Sequence, residues 1–85
     1  MSNIRAIITA HPNQGDELDV DKLVAVLEAA TACAQTCTAC ADACLAEDAV
    51  AEMRDCIRTD LDCADICATT VAVLSRRTGS NLTVV

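Results

Sequence analysis

Phenylalanine, tyrosine and tryptophan are all absent from this chain of 85 residues. Its core must therefore be assembled from Ala, Val, Leu, Ile and Cys. Glycine occurs twice and proline once, too few turn-formers for the many short strands of a sandwich or barrel, so the composition reads as all-α. Cations are scarce as well. Six Lys and Arg against thirteen Asp and Glu leave a formal charge of −7, which argues against nucleic acid or an anionic membrane as a partner. No run approaches the eighteen or so apolar residues that span a bilayer, which also points away from a membrane. The stretch Ile4 to Ala10 contains Arg5 and is too short and too polar for a secretory h-region, so the chain reads as cytoplasmic. There is no Ser, His and Asp constellation, no glycine-rich phosphate loop and no paired catalytic carboxylates, and the chain is read as a non-enzyme.

What the sequence has in quantity is cysteine. All seven cysteines fall in two stretches. Cys33, Cys37, Cys40 and Cys44 recur at steps of four, three and four, and the pattern nearly repeats 23 residues later as Cys56, Asp60, Cys63 and Cys67, with aspartate in one slot. Steps of three and four are the helical period, so each set lies on one face of one helix. At about 100° per residue the first four span an arc of roughly 60°. In a reducing compartment such thiols point to metal before disulfide. Geometry agrees, because Cβ atoms at i,i+3 or i,i+4 stand about 5–6 Å apart, whereas a disulfide wants about 3.5–4.5 Å. A metal ion between two sulfurs fills the wider gap without bending the helix.

Eighty-five residues make at most one small domain, of a size that often needs help to stabilise its core. Residues 1–18 read as an N-terminal segment ending in the loop from His11 to Asp16, with a short helical turn around Ile4 to Ile8. Residues 19–78 read as two long helices. The first starts at Asp19 or Asp21 and runs to about Ala46; the second is capped by Asp48 and runs to about Arg77, with Gly79 at C′. Residues 79–85 read as a turn and the start of a third helix, with Ser80 or Asn81 as its cap. The short connection makes the two long helices an antiparallel hairpin. Cys44 then lies near Cys56 and Cys33 near Cys67, with Leu23, Val26, Val71 and Leu74 as an aliphatic plug at the far end. Asp42 and Asp65 belong to the solvated face, and Arg58 with Asp62 makes an i,i+4 surface pair. Two helices cannot bury such stripes alone, so the hairpin forms part of a four-helix bundle, completed by further chain or by a second copy in a homo-oligomer.

The segment Cys33-Ala-Gln-Thr-Cys37-Thr-Ala-Cys40-Ala-Asp-Ala-Cys44, followed by Cys56-Ile-Arg-Thr-Asp60-Leu-Asp-Cys63-Ala-Asp-Ile-Cys67, resembles the cysteine-rich four-helix-bundle family of copper storage proteins. The resemblance covers residues 21–85, the first half of the family's pattern. It implies thiolates pointing into a bundle and holding many Cu(I) ions, with Cys33, Cys37, Cys40, Cys44, Cys56, Cys63 and Cys67 as ligands. It also implies Met, His or Asp near an open mouth where copper enters. The chain departs from the pattern in lacking the second half, in carrying Val26 and Ala30 where relatives often have cysteine, and in placing Asp60 where the repeat calls for a thiol.

The chemistry of the donors points the same way. Cu(I) is soft, selects thiolate and thioether and accepts low coordination numbers; at two sulfurs per ion, seven thiols hold about three to four ions. Zinc, the alternative, needs four donors in a tetrahedron, which one helical face lacks and two facing stripes supply. Met53, about 60° from Cys56 if both are helical, is a candidate for handing copper inward, although a core-filling role is the commoner use of methionine. Asp60 shares the thiol face, where a carboxylate is costly unless paired or beside a metal, so it reads as an oxygen ligand or a residue of the mouth. His11, alone before Pro12, reads as solvent-exposed and unrelated to metal. Buried free cysteine also serves as a small hydrophobe, and a redox-responsive set of cross-helix disulfides or a purely structural hairpin are the other function classes. The lack of Lys or Arg on the thiol face weighs against reactive low-pKa thiolates.

Overall fold

The computed structural model describes residues 3–12 and 19–78. Among these, every regular element is helical: α1 (Ile4–Ala10), α2 (Val20–Leu45), a 3₁₀ turn (Val50–Met53) and α3 (Arg54–Ser75). The protein is all-α, with α2 and α3 packed along one another as an antiparallel hairpin and α1 laid against α2.

Asp19 starts α2. Its carboxylate accepts the backbone N–H groups of Asp21 and Lys22 at 2.9 and 3.3 Å, which satisfies donors that the first turn otherwise leaves open. Asp21 lies inside that turn, near the positive end of the helix dipole, and holds the Arg5 guanidinium of α1 at 2.9 Å. The 26 residues of α2 give a rod of about 39 Å at 1.5 Å per residue.

Asp48 does not cap the second helix, contrary to the sequence reading. The chain first makes the 3₁₀ turn, closed by Glu52 N–H on Ala49 C=O at 2.9 Å, and α3 follows with Met53 at its N-cap and no side-chain cap. A helix entered from a 3₁₀ turn already has early N–H groups directed at preceding carbonyls, so a capping side chain is dispensable. At the other end α3 stops at Ser75. Arg77 is buried and donates to the Ile8 carbonyl at 3.4 Å, clasping α1 to the end of α3. Gly79 and the third-helix start assigned to residues 79–85 lie outside the described residues.

The aliphatic core sits at this end. Ile8, Leu23, Val24 and Leu27 are buried, with Ile4, Val20, Val71 and Leu74 packed against them. Val26, expected in this plug, is 47% exposed. The reason is α1, whose Ile4 and Ile8 draw the buried line of α2 onto Val20, Leu23, Val24 and Leu27. His11 is also corrected: it is partly buried at the C-cap of α1, its backbone N–H on the Ile8 carbonyl at 3.3 Å. Arg58 and Asp62 are both exposed, and no ion pair joins them among the described residues. Finally, α2 is long and apolar enough by composition to cross a membrane, where the sequence reading found no such stretch. Its alanines and cysteines supply that apolarity, and most of this surface stays uncovered within the chain.

Candidate metal centre

Two helices of matching period, antiparallel and joined by a short turn, bring their stripes face to face as a ladder. Cys33 meets Cys67, Cys37 meets Cys63, Cys40 meets Asp60, and Cys44 meets Cys56. The sequence register anticipates the first and last rungs. The two between, including the pairing of Asp60 with Cys40, follow from the same register once α3 is helical through Asp60. Asp42 and Asp65 are exposed, away from the ladder.

The ladder divides into two donor sets. Sγ atoms of Cys33, Cys37 and Cys63 lie within 4.8 Å of one another, and so do the Cys40 and Cys44 sulfurs with a carboxylate oxygen of Asp60. Cys33 Sγ stands 3.5 Å from Cys63 Sγ across the helices and 3.8 Å from Cys37 Sγ along α2. All seven cysteines are free. A metal–sulfur bond of about 2.3 Å places two sulfurs on one ion about 3.8–4.6 Å apart, from tetrahedral to linear. The thiols thus stand near metal-sharing distance before any ion arrives. Met53 belongs to the 3₁₀ turn, not to α3, so the spacing that set it 60° from Cys56 does not hold.

Proximity also sets the acid strengths. The thiol of Cys33 is pulled below its ordinary value because Cys67, then Cys63 and Cys37, point S–H donors at its sulfur and stabilise the thiolate. The donors suffer the converse: Cys37 is pushed up to about 12, chiefly by its bond to Cys63, and Cys67 to about 11 by its bond to Cys33. Cys40 rises to about 11 because Asp60 accepts its proton and repels its thiolate, and the Asp60 charge raises Cys56 as well. One thiolate is thus stabilised by its neighbours while protons are retained around it.

A stability prediction follows. Cys37, Cys40, Cys56 and Cys67 hold protons more tightly folded than at the ordinary value of 9.0. Their contribution to stability is therefore complete below pH 9 and is lost at higher pH, through about 11–12 for Cys37, Cys40 and Cys67, while Cys33 works in the opposite sense. The reduced, metal-free chain should lose thermal stability across that alkaline window, read by circular dichroism. An unchanged midpoint would show that these thiol contacts do not operate in solution.

Facing helical stripes rich in thiols, with sulfurs near metal-sharing distance, are the donor arrangement of a protein for thiophilic metals. The chain belongs to the copper storage protein family, which matches residues 19–85. Among solved structures it is similar to the copper storage protein Ccsp from Streptomyces lividans, loaded with 10 copper equivalents, at 46% identity and a TM-score of 0.90. That likeness covers 95% of this chain and 61% of the Streptomyces chain, so the sequence spans about three-fifths of its relative's length. No curated protein matches.

Proposed function

We propose that this protein stores or buffers Cu(I) in the cytoplasm, holding several ions on the thiolates of Cys33, Cys37, Cys40, Cys44, Cys56, Cys63 and Cys67, and that it is not an enzyme. The observation that carries the reading is the ladder itself: seven free thiols on two facing helices, with sulfurs of neighbouring rungs as close as 3.5 Å. Cu(I) accepts two or three soft donors, so adjacent rungs can share ions as loading proceeds. Membership of a copper storage family and the copper-loaded Streptomyces relative support the same metal. Asp60 enters as an oxygen donor in the third rung, and Met53 stands near the turn as a thioether that can pass copper to Cys56.

Val26, Leu61 and Ile66 are 47%, 44% and 67% exposed, an apolar surface that calls for two more helices. A four-helix bundle, with a second copy of the hairpin or further chain supplying them, covers it and shields the ladder from oxidation. That burial, together with the acidic charge, favours copper ions as the partner over nucleic acid or membrane.

Anaerobic titration of the reduced chain with Cu(I) against a chromogenic chelator tests the function. Uptake of about three to four equivalents, from two sulfurs per ion, with all thiols becoming unreactive, is the expected result; saturation at one equivalent or less would overturn it. The cross-helix disulfide reading draws on the 3.5 Å approach of Cys33 to Cys63. It predicts thiol loss on mild oxidation that copper does not prevent.

A further inference from the structure

We propose that the two rungs nearest the turn, Cys40 with Asp60 and Cys44 with Cys56, form a separate site for one divalent cation of the zinc class, occupied when Cu(I) does not fill it. The proposal goes beyond copper storage and stands on different atoms from the all-sulfur rungs of Cys33, Cys37, Cys63 and Cys67.

The donor sets differ in kind. The rungs far from the turn offer four sulfurs; those near it offer three sulfurs and a carboxylate. Sulfurs of Cys40 and Cys44 and an oxygen of Asp60 already lie within 4.8 Å of one another. Cys56 lies outside that 4.8 Å group but faces Cys44 in the last rung and is raised by the Asp60 charge and by Cys44, which makes it the nearest further thiol to serve as fourth donor. A tetrahedron of three thiolates and one carboxylate is an ordinary zinc ligand set, with bonds of about 2.0–2.3 Å. Cu(I), a soft ion, gains less from that oxygen than a divalent ion of the zinc class does.

Asp60 carries a second, independent mark of a missing cation. Its Oδ2 atom is buried and has no hydrogen-bond partner. A carboxylate oxygen in that state is costly, and the weak thiol donor that Asp60 accepts from Cys40 is a poor substitute for lost water. A cation bound there supplies the missing interaction. Cys40 and Cys56 are exposed in the single hairpin, so an ion reaches them there directly from solvent.

Cobalt(II) is the probe, used on the reduced, copper-free chain under anaerobic conditions, with Asp60→Ala, Asp60→Asn and Asp60→Cys alongside. One equivalent should give the visible bands of tetrahedral cobalt. At that point alkylation and peptide mass mapping should find Cys40, Cys44 and Cys56 protected and Cys33, Cys63 and Cys67 still reactive. Affinity should fall at least tenfold in Asp60→Ala and Asp60→Asn, while Asp60→Cys should restore it with a stronger sulfur charge-transfer band. Helical circular dichroism of each variant checks folding, and Asp60→Asn, close to isosteric, covers the case in which alanine disturbs α3. Protection beginning at Cys33 and Cys63, absence of tetrahedral bands, or cobalt affinity unchanged in Asp60→Asn would each overturn the proposal. Failure of the copper titration with the cobalt result intact would remove the storage reading and leave this site standing; the reverse would do the opposite.

Discussion

Loading with Cu(I) should raise the thermal unfolding midpoint of the reduced chain by tens of degrees. The reason lies in which atoms the ions join. Cys33 and Cys37 belong to α2, and Cys63 and Cys67 to α3. An ion held by Cys33 and Cys63, whose sulfurs are 3.5 Å apart, is therefore a crosslink between helices that the unfolded chain cannot reproduce. A ligand that binds only the folded form stabilises it by about 4 kcal/mol per site at a thousandfold excess over its dissociation constant. Each kcal/mol moves the midpoint of a domain this small by about 4–8 °C, so one bridging ion already gives a large shift and further ions add to it. Calorimetry or circular dichroism under nitrogen, before and after copper, reads the effect, and a strong Cu(I) chelator should reverse it. A midpoint unmoved by copper would mean that ions sit along single helices, without bridging the hairpin.

The same ladder shows what could be read before any fold was known. The stripe on each helix was legible because three- and four-residue steps leave no other regular structure, and the absence of aromatics made thiols the only unusual side chains present. The register was legible too, since a short turn between two helices fixes which residues face each other. The opposite end was read less well. Val24, left unassigned, and Val26 flank the line of Leu23 and Leu27 on opposite sides, about 200° apart around the helix, and sequence periodicity alone does not say which flank is covered. That choice is made by α1, through Ile8 and the Arg77 bond to its carbonyl, contacts that link residues 69 positions apart. Asp48 misled for a related reason: a good capping residue two positions before a 3₁₀ turn, and six before α3, still yields when that turn satisfies the first donors. Met53 shows the cost of carrying a helical angle across a boundary where the winding changes.

Asp60 was recognised as a break in the repeat, but its meaning depended on the partner helix. On α3 alone it is an aspartate among cysteines. Opposite Cys40, with Oδ2 buried and unpartnered, it becomes a donor set's fourth member. The ladder is uniform in spacing and uneven in chemistry, and only the pairing reveals the unevenness.

Leu27→Ala should destabilise the copper-free chain by about 3 kcal/mol, within the range of about 2–5 kcal/mol for large-to-small changes at buried leucine. Leu27 is 1% exposed, the most buried large side chain of the cluster that includes Ile8, Leu23 and Val24. With no aromatic residue to expand into the space, the cavity would remain largely unfilled. Small domains have only a few kcal/mol in reserve, so a loss of this size brings the metal-free variant close to half-unfolded at ordinary temperature. The thiols, lying toward the turn, are untouched by the change. Copper should therefore refold the variant, because binding free energy is available only to the folded ladder. Urea titration of the two forms measures both quantities: a lower midpoint for metal-free Leu27→Ala, and recovery of most of the loss once Cu(I) is bound. Equal midpoints for wild type and variant without metal would show that the aliphatic cluster does not hold the hairpin. A variant that stays unfolded with copper present would show that the ladder cannot assemble unless this apolar end has closed first.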